Sequence, residues 1–144
     1  MCGIYGYLNL HGKKLTIKQR NTLLHAFCKT QHRGPEHTVF KNINKNSVLG
    51  FHRLRINDII HGTQPFHNED ENVFCICNGE IYNHKELEKI HNLNMKTQSD
   101  CEVVYALYMK YGQAGLDSVI SELDGVYTFC IIDVRDTNSP IVVL

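Results

Sequence analysis

Short apolar runs separated by polar turns recur along the whole chain, and their spacing predicts the elements. Ile4, Tyr5, Tyr7 and Leu8 among glycines predict a strand over 2–10. Gly3 and Gly6 weaken a strand and mark close backbone approach or a bend. His11-Gly12 predicts a turn. Over 16–30, Ile17, Leu23, Leu24 and Phe27 share a helical stripe, Lys18, Gln19, Arg20 and Asn21 face water, and Thr16 is a plausible N-cap. Gly34-Pro35 ends that helix and forces a loop over 31–36.

Val48-Leu49-Gly50-Phe51 predicts a strand over 47–54 with Arg53 near its end, and 61–70 reads as loop. The apolar run 73–77 leads into Asn78-Gly79, a strong hairpin signal. A short helix follows over 85–90, then a loop over 92–98. Ser99 and Glu102 fit a capping box for a helix reaching about Tyr111. Val103, Val104, Leu107, Tyr108 and Tyr111 form its apolar stripe and Gly112 its stop. Another short helix is predicted over 116–123, a buried strand over 126–133, a turn over 136–140 and a last strand over 141–144. Strands adjoining through short turns favour antiparallel sheets with packed helices over a doubly wound parallel sheet.

The 144 residues suit one domain, and the formal net charge is zero. No basic stripe argues for nucleic acid. The apolar runs are far too short for a membrane span, and no secretory signal is visible. The six cysteines lie mostly in apolar runs, as reduced thiols of a cytoplasmic protein do. Cys75 and Cys77 point to one face of a strand and read as buried packing. The nine histidines show no paired zinc spacing, so no metal site is expected.

Candidate chemistry begins at Cys2, directly after the initiator methionine. Once Met1 is removed, one residue carries both a thiol and a free α-amine, whose reference pKa of about 7.7–8.0 lets it accept the thiol proton near neutrality. The alternative is a small apolar residue opening a strand. Arg53 is either a solvent-facing strand end or a fork for a carboxylate. Asn78 and the Gly79 N–H form either a turn or a pair of donors converging on one oxygen. Asp100 either complements a helix dipole or offers a rigid carboxylate to an ammonium group.

Taken in order, Met1-Cys2-Gly3-Ile4, His32-Arg33-Gly34-Pro35, Arg53-Leu54, Gln64-Pro65, Asn78-Gly79-Glu80-Ile81-Tyr82-Asn83, Ser99-Asp100-Cys101-Glu102 and Leu123-Asp124-Gly125 span almost the whole chain. Together they resemble the glutaminase domain of asparagine synthetases, class II glutamine amidotransferases of the N-terminal-nucleophile hydrolase superfamily. The resemblance implies an α+β fold, a four-layer αββα sandwich of antiparallel sheets. It implies hydrolysis of L-glutamine to glutamate and ammonia through a thioester on Cys2. Asn78 and Gly79 would form the oxyanion hole. Arg53 would hold the substrate carboxylate and Asp100 its ammonium, with Asn78, Gly79 and Glu80 lining the same pocket. No cofactor serves that step; ATP and magnesium belong to a synthetase domain.

The family domain continues beyond the position of Leu144 with further strands, so residues 2–144 are expected to form an amidotransferase domain incomplete at its C-terminus. The expected partners are glutamine and a separate synthetase domain or subunit, with neither nucleic acid nor membrane. A second reading remains, a catalytically inactive relic that binds glutamine or another protein.

Overall fold

The computed structural model describes residues 2–9, 12–56, 58 and 60–144. Met1, whose removal the chemistry above requires, and His11 of the expected turn lie outside the described residues. The chain forms two compact units, residues 1–55 and 56–144.

The first unit is a three-stranded antiparallel sheet in the order β1-β3-β2, with β1 Gly3–Tyr7, β2 His37–Asn42 and β3 Val48–Arg53. The central strand β3 is buried along its whole length. Helix α1, Ile17–Cys28, starts as its sequence predicts: the Thr16 hydroxyl accepts from the Gln19 N–H, and the Gln19 side chain accepts from the Thr16 N–H. Its apolar stripe fares differently. Phe27 alone is fully buried, whereas Ile17 is 80% exposed and Leu24 39%. Phe27 fits against the sheet because Gly50 has no side chain: a Cβ there would lie 2.7 Å from the ring. The ring also stacks on His52, with centroids 3.8 Å apart.

The second unit is a four-stranded antiparallel sheet in the order β4-β5-β6-β7: β4 Phe66–His67, β5 Val73–Ile81, β6 Gly125–Asp133 and β7 Ile141–Val143. Strands β5 and β6 pair along nine residues, from Val73 opposite Asp133 to Ile81 opposite Gly125. Helices α2, His84–Ile90, and α3, Glu102–Val119, join this sheet. Period-two alternation turns Cys75, Cys77, Phe129 and Ile131 into one core with Val103, Val104, Leu107 and Tyr108 of α3. The Tyr108 hydroxyl donates to Asp133 at 2.8 Å, and the Arg135 guanidinium grips the same carboxylate.

Both sheets are antiparallel and flanked by helix, so the α+β class holds. Three local expectations need correction. Asn78-Gly79 is no hairpin turn but lies inside β5, because Thr128 and Tyr127 of β6 supply its ladder partners. The 61–70 loop contains β4, and β2 carries no alternation strong enough to announce it. The Ser99–Glu102 capping box does not form: α3 starts at Glu102 with no side-chain cap. Glu102 instead accepts from the Lys96 and Thr97 N–H groups at 2.9 and 2.7 Å. Gly112 does act as the predicted stop: at φ 68° and ψ -171° it leaves helical geometry, and the span Glu102–Val119 is two helical stretches meeting at a kink there.

Candidate active site

The first unit brings Cys2 to the end of β3. Gly3 pairs with His52, which sets Cys2 level with Arg53 and Leu54. The Cys2 sulfur accepts from the Leu54 N–H at 3.4 Å and donates weakly to the Leu54 carbonyl at 3.7 Å. The Cys2 carbonyl accepts from Arg33 Nε at 3.1 Å. The loop over 31–36 therefore does border Cys2. It can do so because Gly34 presses on the chain: a Cβ there would lie 2.2 Å from the His52 carbonyl oxygen. Arg53 is buried at the end of β3, not turned to solvent.

Cys2 differs from the thiols of the second unit. Burial pushes Cys75 up and raises Cys130 to about 11. A hydrogen bond with Cys77 and then burial push Cys101 up. Such thiols stay protonated and inert. Cys2 is only half-buried, and Cys28 is exposed at the end of α1.

The second unit gathers the other predicted residues at one end of β5. Gly79 has φ 149°, a conformation side chains disfavour, and a Cβ there would lie 2.2 Å from the Val126 carbonyl oxygen. Asn78 lies opposite Thr128, half-buried, and its carboxamide has no hydrogen-bond partner among the described residues. Glu80 shares the Asn78 face and is exposed. Asp100 is buried and accepts from the Ile81 N–H at 2.8 Å, which fixes it two residues from Gly79. The Cys101 sulfur faces the Gly79 carbonyl at 3.8 Å. Asp100 precedes α3 and is tied to a strand instead of occupying a first helical turn.

Two side chains matter here beyond the candidate site residues. Gln64 is buried, and its Oε1 accepts from the Cys77 N–H at 2.6 Å, continuing the β4 ladder by side chain up to the residue before Asn78. Its place before Pro65 was the available signal. His52 is fully buried. Its Nε2 lies 3.1 Å from the Phe27 carbonyl, which can only accept, so Nε2 carries the hydrogen. Its Nδ1 lies 2.8 Å from the Thr38 hydroxyl. Nothing in an isolated histidine announces such a role.

Among the described residues, no three of His, Cys, Asp and Glu group as metal ligands. No helix among them is long and apolar enough to cross a membrane.

Comparison with known proteins adds a family. The family described as glutamine amidotransferase domain matches residues 1–142. The chain is 36% identical over 139 residues to a glutamine-hydrolyzing asparagine synthetase of Zea mays, covering 96% of this chain and 22% of the relative. A nodule asparagine synthetase of Pisum sativum, also glutamine-hydrolyzing, is 38% identical over 139 residues, with the same coverage. Glutamine-hydrolyzing asparagine synthetase 2 of Bacillus subtilis (strain 168) is 37% identical over 134 residues, covering 92% of this chain and 17% of the relative. The chain thus spans about a fifth of the length of these relatives.

Proposed function

The chain belongs to the glutamine amidotransferase domain family, and on that footing we propose that it hydrolyses L-glutamine to glutamate and ammonia through Cys2. The thiol attacks the side-chain carbonyl carbon while the free α-amine of Cys2, exposed by removal of Met1, takes the thiol proton. The oxyanion that forms is received by the Asn78 carboxamide and the Gly79 N–H. Collapse expels ammonia, which leaves with the proton from the α-amine, and water then cleaves the thioester. The Arg53 guanidinium holds the substrate α-carboxylate. Asp100 holds the α-ammonium, with Glu80 lining the pocket. Each donor of such an oxyanion hole typically lowers the barrier by about 2.7–4 kcal/mol. The ammonia serves amide synthesis in a separate synthetase domain or subunit, where ATP and magnesium act. The setting is cytoplasmic.

The observation that carries this reading is the Cys2 thiol. It is neither exposed on a mobile end nor sealed in a core. It is half-buried between the N–H and C=O of the residue after Arg53, with its own carbonyl anchored by Arg33. Supporting it, the end of β5 offers an unengaged carboxamide beside a glycine, next to a fixed carboxylate.

Glutamate release from glutamine by the purified chain, with intact mass to report Met1 removal, tests the proposal. Cys2→Ala should abolish release while leaving the melting temperature within a few degrees. Undiminished release would remove Cys2 as nucleophile. A chain that keeps Met1 and shows no turnover would favour a binding module instead.

A further inference from the structure

Away from Cys2 and the end of β5, three elements of the second unit converge on His91. This residue closes α2 and is buried. Its Nε2 lies 3.0 Å from Glu122 Oε2, on the 3₁₀ turn after α3, and its Nδ1 lies 2.9 Å from the Tyr111 phenol oxygen, on α3. A carboxylate can only accept, so Nε2 carries the hydrogen and donates it to Glu122. The Nδ1 of the neutral ring is then left to accept from the phenol. Hydroxyl, imidazole and carboxylate follow in the order found wherever a base oriented by a third group activates a nucleophile.

Two further features fit activation. The Lys110 ammonium lies 5.4 Å from the Tyr111 ring centroid, and Lys110 Nζ donates to the His91 carbonyl. A fixed positive charge there favours negative charge growing on the phenol oxygen. Tyr111 is also reachable, at 38% exposed, although its place on the helical stripe predicts burial. The chain leaves helical geometry at Gly112, directly after it.

We propose that Tyr111 is an activated phenol, a covalent modification site for electrophilic acyl groups, with His91 as general base and Glu122 as the group that orients it. With N-acetylimidazole as probe, the phenol oxygen attacks the acetyl carbon and its proton passes to His91 Nδ1. The carbon–nitrogen bond to the imidazole breaks, and the leaving imidazole takes up that proton. Net, tyrosine and N-acetylimidazole give O-acetyltyrosine and imidazole, with no oxidant or cofactor. Nothing in this step depends on glutamine hydrolysis.

The chain contains its own control. Tyr82 is more exposed, at 58%, and no hydrogen bond engages its phenol among the described residues. If exposure governs reactivity, Tyr82 is acetylated first; if the relay governs it, Tyr111 is. Time-resolved peptide mapping of the full chain with limiting N-acetylimidazole should show Tyr111 modified at least about tenfold faster than Tyr82, the low end of general-base assistance. His91→Gln should remove that excess and leave the Tyr82 rate unchanged. Glu122→Gln, a near-isosteric change at a half-exposed carboxylate, should reduce it. Hydroxylamine should strip the label, which separates a tyrosine ester from an amide on Lys110. Tyr111 reacting no faster than Tyr82, a label on Lys110 that resists hydroxylamine, or an undiminished Tyr111 rate in Glu122→Gln would each overturn the proposal.

Discussion

Alanine at Gly79 tests how the β5–β6 ladder presents Asn78. A Cβ there would lie 2.2 Å from the Val126 carbonyl oxygen and 2.4 Å from the Tyr127 Cα, both backbone atoms of β6. Ordinary contact begins at 3.4 Å, so the two strands must part by the difference, about 1.2 Å. An N–H···O bond of about 2.9 Å stretched that far passes the limit of a hydrogen bond. One or two ladder bonds lost cost about 1–2 kcal/mol. Holding a residue with a Cβ at this φ costs a further 1–3 kcal/mol, roughly. The total, about 2–5 kcal/mol, is a large part of a typical domain stability of about 5–15 kcal/mol. At about 3 °C per kcal/mol the melting temperature should fall by roughly 6–15 °C. Two other glycines separate the causes. At Gly112, φ is 68° and ψ -171°, a conformation nearly confined to glycine, but a Cβ meets nothing within 4 Å, so Gly112→Ala pays only the conformational cost, about 1–3 kcal/mol. At Gly6 the nearest contact is an ordinary 3.5 Å to Leu49, and alanine should be neutral or stabilise by up to about 1 kcal/mol. Calorimetry of the three variants should rank them in that order. Gly79→Ala melting within 2 °C, roughly, of Gly6→Ala would refute the close-approach reasoning.

Two more measurements follow from the same geometry. Burial alone would raise the Asp133 carboxyl, but the Arg135 guanidinium and N–H and the Tyr108 hydroxyl outweigh it and hold it below the usual carboxylate range. A depressed folded pKa contributes stability that is complete above the unfolded value of about 3.9 and lost as pH falls through the folded one. Asp133→Asn should therefore flatten the acid limb of a melting-temperature profile below about pH 4; superimposable acid limbs would rule the linkage out. Arg53→Lys keeps the charge but removes the planar fork. It should raise the KM for glutamine by about tenfold or more with a smaller change in kcat, and an unchanged KM would mean the carboxylate is held elsewhere.

Periodicity made most of the long elements readable. The nine-residue strand β6 and the buried stripe of α3 follow from local alternation, and the Thr16–Gln19 capping box from a four-residue pattern. These elements satisfy their own backbone groups or bury their own face, so their signals are local. The misreadings share one cause. Asn78-Gly79 is a good turn locally, yet β6 offers it a continuous ladder and the ladder prevails. Ser99 and Glu102 have the right spacing for a cap, yet the Lys96 and Thr97 N–H groups claim the carboxylate. Ile17 has helical spacing, yet the sheet receives only Phe27, through the gap at Gly50.

The candidate residues divide in the same way. Their identities were legible in the chain: a cysteine after the first methionine, an arginine at a strand end, an asparagine-glycine pair, and an aspartate before a helix. Each needs only its own functional group to be recognised. Their supports were not legible. The grip of Leu54 on the Cys2 sulfur, of Arg33 on its carbonyl, of Ile81 on Asp100 and of Gln64 on Cys77 all join residues distant in sequence. So does the meeting of Tyr111, His91 and Glu122. Side-chain chemistry is a property of one residue, so the sequence alone determined which groups this protein has to work with. A hydrogen bond needs two partners in register, and only the packing of strands and helices decided which groups are held, and by what.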